Sequence, residues 1–285
     1  MSPAAQNFSV EFFPPRSAEA RVKLDRVHKE LTKLGPAFFS VTHGASGSAK
    51  EGTRELVLDY FAAGSEIAPH LTSTGTDLGH VRELLAAYRD AGIRRLVVLR
   101  GDRPAEQPSR ERGFHARHLV EFVRAECGDH FHIEVACYPE THPESPSYAM
   151  EVEHFRQKID AGANSAITQY FFNADAYFRF VEASAGAGVA IPIVPGIMPI
   201  TNFAKLTAFS AKCGAEIPLW LARRLADFGD DQQGLRGFGE EVVSGLCERL
   251  LRGGAPGLHF YSLNLAGPVR GIWKNLGLCD LSRRR

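Results

Sequence analysis

Eight short runs of apolar, β-prone residues alternate with stretches of helical periodicity along the chain, and no two runs stand close enough to form a hairpin. The runs are 10–13, 37–42, 67–72, 95–99, 131–137, 165–171, 191–195 and 258–262. The stretches between them read as helices. In 18–34, Ala20, Leu24, Val27 and Leu31 recur at mostly helical spacing behind Ser17 as N-cap, and in 76–91, Val81, Leu84, Leu85 and Tyr88 share one face. A strand, a helix and a further strand repeated without hairpins require right-handed crossovers and a parallel sheet. Eight such units in about 250 residues predict a (β/α)8 TIM barrel. The competing architecture is an open doubly wound sheet, but no Gly-x-Gly-x-x-Gly follows the first strand, where that fold would hold a dinucleotide. No break in composition divides the chain, so 1–285 reads as a single domain. The stretch 217–253 exceeds one crossover helix and is expected to hold two or three, an insertion between strands seven and eight suited to a lid or an interface.

Lysine plus arginine and aspartate plus glutamate both number 33. That balance removes a global electrostatic case for nucleic acid or an anionic membrane and favours a small-molecule partner. The three arginines at 283–285 read as a solvated terminus. There is no signal-peptide pattern and no apolar run approaching the ~20 residues needed to cross a bilayer, so a cytoplasmic protein is expected. Five cysteines, Cys127, Cys137, Cys213, Cys247 and Cys279, form no Cys-x-x-Cys pair, as expected of reduced thiols.

Barrel enzymes place their chemistry at the C-terminal ends of the strands. Here those ends are polar: Thr42 and His43; His70 and Thr72; Arg100 and Asp102; Tyr138, Glu140 and His142; Gln169; Tyr261 and Asn264. Glu11 joins them from inside the first strand, among Val10, Phe12 and Phe13. Such a carboxylate either pairs with a cation, Arg16 or a loop arginine, or is desolvated into a proton donor near neutral pH. Several of the others have structural readings too. His70 suits a hydrogen-bonded core position, Tyr261 a packing aromatic, Asp102 a turn with Arg103-Pro104, and Phe203 a helix-start staple or a stacking aromatic at the mouth. His43, His70 and His142 sit on separate loops without ligand spacing, which disfavours a metal. An organic cofactor is the better expectation.

Seven strings carry a resemblance. Val-Glu-Phe-Phe-Pro-Pro-Arg (10–16), Pro-His-Leu-Thr (69–72), Leu-Arg-Gly-Asp (99–102), Tyr-Pro-Glu-Thr-His-Pro-Glu (138–144), Asp-Ala-Gly-Ala-Asn-Ser-Ala-Ile-Thr-Gln (160–169), Pro-Gly-Ile-Met-Pro (195–199) and His-Phe-Tyr-Ser-Leu-Asn (259–264) occur in one order along nearly the whole chain. Together they resemble the bacterial 5,10-methylenetetrahydrofolate reductase family. The resemblance implies a flavin-containing barrel that reduces 5,10-methylenetetrahydrofolate to 5-methyltetrahydrofolate, with FAD first reduced by NADH or NADPH. One pocket serves both partners, so the implied kinetics are ping-pong. Glu11 matches the general acid that protonates the folate at N5 and opens the methylene bridge. Asp102 matches the aspartate beside flavin and pterin, Gln169 the amide that meets folate and nicotinamide, and Phe203 the stacking aromatic. The implied FAD lining is Thr42, His43, Ala45, His70, Arg100, Gly101, Asp102, His115, Ala116, Tyr138, His142, Glu151, His154, Gln157 and Lys158. Thr42, Tyr261 and Leu263 join Glu11, Asp102, Gln169 and Phe203 on the folate side. Relatives of this family self-associate, so a homo-oligomer is expected.

The chain departs from the pattern in places. Leu265 stands where several bacterial relatives have arginine, and His43, His115, His154 and Gln157 stand where tyrosine, tyrosine, asparagine and arginine are expected. Replacement of that arginine removes a phosphate contact. The chain ends at Arg285 without the regulatory domain of eukaryotic relatives, so inhibition by S-adenosylmethionine through such a domain is not expected. A flavin-free lyase or aldolase barrel acting on a phosphorylated substrate would need a Schiff-base lysine in a strand or a metal set, and Lys158 falls on a helix. A non-catalytic binding barrel would have no need of both Glu11 and Asp102.

Overall fold

Along Asn7–Phe12 (β1), alternate residues divide two environments. Phe8, Val10 and Phe12 are buried on the face turned to the helices, where Phe8 meets Trp273 at 5.3 Å between ring centroids and Phe12 meets Tyr60 at 6.3 Å. Ser9 and Glu11 therefore point to the opposite face, as the period of two requires. The same alternation organises the molecule. The computed structural model describes residues 7–43, 47–73, 77–101 and 115–278. After β1 come α1 (Ala18–Thr32), β2 (Phe38–Val41), α2 (Gly47–Ala62), β3 (Ile67–Thr72), α3 (Leu78–Ala91), β4 (Arg95–Leu99) and α4 (Ala116–Cys127). Then follow β5 (His132–Cys137), α5 (Tyr148–Asp160), β6 (Ser165–Thr168), α6 (Ala174–Gly186), β7 (Ile193–Val194) and β8 (Gly196–Ile197). The chain continues through α7 (Phe203–Cys213), α8 (Leu219–Asp227), α9 (Gln232–Arg252), β9 (Gly257–Tyr261) and α10 (Ala266–Asn275).

All strand pairings are parallel, in the order β7-β6-β5-β4-β3-β2-β1-β9-β8. The outer members of that order, β7 and β8, are halves of one strand broken at Pro195. With them joined, the sheet closes as the eight-position α/β barrel expected from the alternation. The expected continuous strand at 191–195 is thus two short pieces, because Pro195 has no N–H to give the ladder. Its carbonyl still accepts from the His259 amide at 3.0 Å. Gly196 completes the seam by donating its amide to Thr168 Oγ1 at 2.9 Å. A Cβ at Gly196 would stand 2.2 Å from the Thr168 carbonyl oxygen and 2.6 Å from the Tyr261 ring, so the close approach requires glycine.

Other boundaries moved for local reasons. β6 stops at Thr168 rather than 171, since the Tyr170 amide turns back onto the Gln169 side-chain oxygen at 3.0 Å. The last helix starts at Ala266, two residues before the expected start; Pro268 lies in its first turn, where the missing donor costs nothing. The stretch 217–253 carries α8 and α9.

Inside the barrel an apolar layer of Phe38, Ala68, Val97 and Ile167 separates two polar ends. At the N-terminal end, Glu134 is 3% exposed and is held by Arg95, by Ser165 and by His132 Nε2 at 3.4 Å. The Arg95 guanidinium also lies 4.5 Å from the centroid of the Phe38 ring. Burial opposes ionisation of Glu134, but the hydrogen bond from His132, the charge of Arg95 and the Ser165 hydroxyl outweigh it and hold the carboxyl below its ordinary value. Because the folded-state value is depressed, this contribution to stability is present above the unfolded value of about 4.3 and is lost as pH falls through the folded one. Glu134→Gln takes the charge partner from half-buried Arg95 and is expected to cost about 1–3 kcal/mol at neutral pH. In denaturant titrations from pH 7 to pH 3 the variant should lose less further stability than the parent; parallel curves would remove Glu134 from the account.

Candidate active site

At the opposite end the inner face carries Glu11. Register places it beside Ser40 of β2 and Tyr261 of β9, with Ser9 beside His259 one layer below. Its Oε2 lies 3.5 Å from His70 Nε2 and 3.8 Å from His259 Nε2, and its side chain is 20% exposed. Val10 and Phe12, which flank it in sequence, point away toward the helices. Its surroundings are therefore two imidazoles, a hydroxyl and a phenol, not the apolar enclosure inferred from the strand. Among the described residues the basic side chains nearest its carboxyl are these histidines rather than Arg16. His70 is buried and pushed down to about 4, chiefly by desolvation and only partly offset by Glu11. It is a neutral ring. Tyr261 has its phenol raised by burial and then by Glu11, and donates to the Thr168 carbonyl at 2.7 Å.

The end of β1 is fastened by the loop after β9. Ser262 Oγ donates to the Glu11 carbonyl at 2.6 Å. Asn264 receives the Phe13 amide on Oδ1 at 3.1 Å and donates Nδ2 to the Phe13 carbonyl at 2.9 Å. Leu263 and Asn264 both adopt left-handed φ, +54° and +55°, a conformation that an L-residue such as leucine holds only when its surroundings impose it. Leu263 packs against the main core while Leu265, at the head of α10, is exposed.

Thr42 and His43 follow β2 at the rim, both half-buried, with the Thr42 amide donating to the Phe12 carbonyl at 2.9 Å. After β4, Gly101 has φ +84°, and a Cβ there would meet Thr72 at 3.0 Å. Arg100 forks onto Glu144 through contacts of 2.5 and 3.2 Å, drawing the β5–α5 loop toward the β4 end. In that loop Tyr138 and His142 stand edge to face at 4.7 Å. Buried Glu151 accepts from Ser145 Oγ at 2.5 Å and from the His142 amide at 3.3 Å, so it holds the loop rather than facing the mouth directly. Lys158 reaches inward to the Ala136 carbonyl at 2.6 Å, and desolvation lowers its ammonium.

Ala116 opens α4, with His115 as its N-cap. Burial lowers His115, and the neighbouring His118, Arg100, Arg117 and His154 push the same way. Gln157 stands where an arginine was expected, but Arg117 reaches across from α4 and donates to its Oε1 at 2.6 Å. A guanidinium is present at this place after all, supplied by another helix. Nothing in the strand–helix pattern singled out Arg117, and only the α4–α5 packing reveals it.

Gln169 continues the ladder with its amide on the Cys137 carbonyl at 2.8 Å, its side chain half-buried at the mouth. Phe203, the first residue of α7, is half-buried and packs on the main core, whereas the exposed aromatic of that helix is Phe209, 57% accessible. Glu140 is raised to about 7 by burial but accepts the Glu216 amide at 2.7 Å. Among the described residues no imidazole converges on it as on Glu11. Asp102 and Ala45 lie outside the described residues.

A closed parallel barrel with convergent titratable groups at the C-terminal ends of its strands defines an enzyme of the (β/α)8 class. The chain belongs to the methylenetetrahydrofolate reductase family: a model of that family, described as "Methylenetetrahydrofolate reductase", matches residues 2–277. It is 36% identical over 273 residues to the 5,10-methylenetetrahydrofolate reductases of Escherichia coli K12 and Pectobacterium carotovorum, covering 95% of this chain and 91% and 90% of theirs. Arabidopsis thaliana methylenetetrahydrofolate reductase (NADH) 1 is 34% identical over 97% of this chain, which spans 49% of the plant protein. Among solved structures, a Clostridium thermocellum protein described as binding two copies of 5-methyl-5,6,7,8-tetrahydrofolic acid shares the fold at TM-score 0.66 and 14% identity, over 99% of this chain and 97% of that one.

Asn264→Ala removes two hydrogen bonds to Phe13 and puts alanine at φ +55°. The substitution is expected to cost about 1–3 kcal/mol and to speed amide exchange at the end of β1. An unchanged Tm and exchange pattern would show that the loop does not hold the strand.

Proposed function

We propose that this chain reduces 5,10-methylenetetrahydrofolate to 5-methyltetrahydrofolate, with FAD held at the barrel mouth and NADH or NADPH as electron donor. Family membership supports the substrate class, and the plant relatives named for NADH support a nicotinamide donor. The residues at the mouth fit a flavin dinucleotide. Arg100 and Arg117, both close to His115 at the N-terminus of α4, supply positive charge suited to a pyrophosphate. Buried His70 Nε2 makes no hydrogen bond in the protein and stands 3.5 Å from Glu11 Oε2. Bound there, the flavin carries electrons between donor and folate.

The observation that carries the reading is the convergence of His70 and His259 on one oxygen of Glu11 at the mouth. Glu11 gives its proton to N5 of the folate and opens the methylene bridge. The adjacent imidazoles face the resulting carboxylate on Oε2. Gln169, half-buried at the mouth, orients the ring system through its amide, and Asp102 supplies negative charge near the cationic folate. Donor and folate enter the same mouth in turn, a ping-pong order.

Glu11→Gln keeps the shape of the site and removes the transferable proton. Folate reduction is expected to fall by at least about a hundredfold, while NADH oxidation with an artificial quinone acceptor keeps the parental rate. Methyltetrahydrofolate formation at the parental rate would exclude Glu11 as the acid.

A further inference from the structure

The assignment of Glu11 leaves open which of its oxygens gives the proton, and the buried groups beneath it answer that. His259 is 1% exposed and lies on β9 in register with Ser9. Its Nδ1 is 2.7 Å from Ser9 Oγ, a buried contact between the two strands. The other nitrogen, Nε2, is aimed at Glu11 Oε2 from 3.8 Å, and His70 Nε2 approaches that same oxygen from 3.5 Å. Packing alone would be satisfied by the ring contacts His259 makes with Phe38 at 6.2 Å and Tyr261 at 5.3 Å. It needs neither the hydroxyl on one nitrogen nor the carboxyl opposite the other. The groups facing Glu11 are completed by Ser40 from β2 and Tyr261 from β9, whose hydroxyl is committed to Thr168.

We propose that His259 is a positioning residue for the general acid: Ser9 sets its tautomer, and with His70 it engages Glu11 Oε2, which leaves Oε1 as the oxygen that delivers the proton. The inference rests on Glu11 being that acid. When the Ser9 hydroxyl donates to Nδ1, the ring hydrogen sits on Nε2 and points at Oε2; with the opposite tautomer a lone pair would face the carboxylate. Glu11 transfers the Oε1 proton to the folate nitrogen and is left as a carboxylate. The charge on Oε2 then meets the His259 N–H beside the His70 ring, and a solvent proton entering by the mouth restores Oε1. His259 neither gains nor loses a proton. Both contacts are longer than hydrogen bonds here, as catalytic contacts often are before substrate closes the site.

The test is kcat and KM for methylenetetrahydrofolate as a function of pH in the parent, Ser9→Ala, His259→Gln, His259→Phe, Glu11→Gln and the Ser9→Ala/Glu11→Gln pair. A positioned acid contributes ~10²–10⁴-fold, and loss of its orientation is expected to forfeit about tenfold in kcat for Ser9→Ala and His259→Phe. Their pH profiles should be displaced and KM little changed. Glutamine, which can present a donor near the Nε2 position, should restore part of the loss, and Ser9→Ala should add nothing once Glu11 is glutamine. If Glu11→Gln is inactive while Ser9→Ala and His259→Phe keep the parental pH profile, this inference fails and the Glu11 reading stands. Lower kcat with an unmoved profile and a lower Tm in both would equally overturn it, as a structural role. If Glu11→Gln turns over like the parent, both readings fail.

Discussion

Everything at the mouth depends on how the sheet closes at Pro195-Gly196. The proline interrupts the strand and the glycine lets it pass against Thr168 and Tyr261, so β8 pairs with β9 and β9 in turn with β1. That chain of pairings puts His259 beside Ser9 and Tyr261 beside Glu11. The Tyr261 hydroxyl, bonded to the Thr168 carbonyl, locks the seam from inside. The loop that follows adds a second fastening through Ser262 and Asn264, at the expense of two residues held in left-handed backbone. Strain at this point is sustained because the surrounding bonds over-determine it.

The two polar ends of the barrel obey different rules. At the N-terminal end every oxygen of Glu134 is engaged by an arginine, a hydroxyl or an imidazole, and the network contributes stability. At the mouth, by contrast, polar groups stand close without complete pairing: His70 Nε2 is buried without a hydrogen bond, and Glu11 meets its imidazoles beyond hydrogen-bond length. Incomplete satisfaction of buried polar groups costs stability, and it is the arrangement expected where a ligand is to supply the missing partners. Glu140 shows why a shifted titration alone is a weak guide. Its carboxyl is raised to about 7 by burial, yet it is spent on a backbone amide between two loops.

The barrel was legible in the sequence because eight strand–helix units leave little topological choice. Its finer features were not. A break at Pro195 leaves the apolar run intact, so residue type alone reads it as one strand. Glu11 stood out as a carboxylate in an apolar run, but the strand's alternation sends those apolar neighbours to the other face, and its true surroundings come from β2, β3 and β9. Long-range pairings of this kind leave no local signal. The same holds for Arg117, whose service to Gln157 spans two helices, and for the exposure of Phe209 beside half-buried Phe203 on one helix. Family resemblance located many residues at the mouth without saying which hold the loops, as Glu151 does, and which face the cavity.

The central claim is that this mouth holds a flavin that passes reducing equivalents from NADH to a folate. The visible absorption spectrum of the purified protein tests it most directly, recorded before and after anaerobic NADH and again after methylenetetrahydrofolate. The account predicts a flavin band that bleaches with NADH and returns with the folate. A protein that stays colourless after incubation with FAD, or a band that NADH bleaches but the folate does not restore, would contradict it.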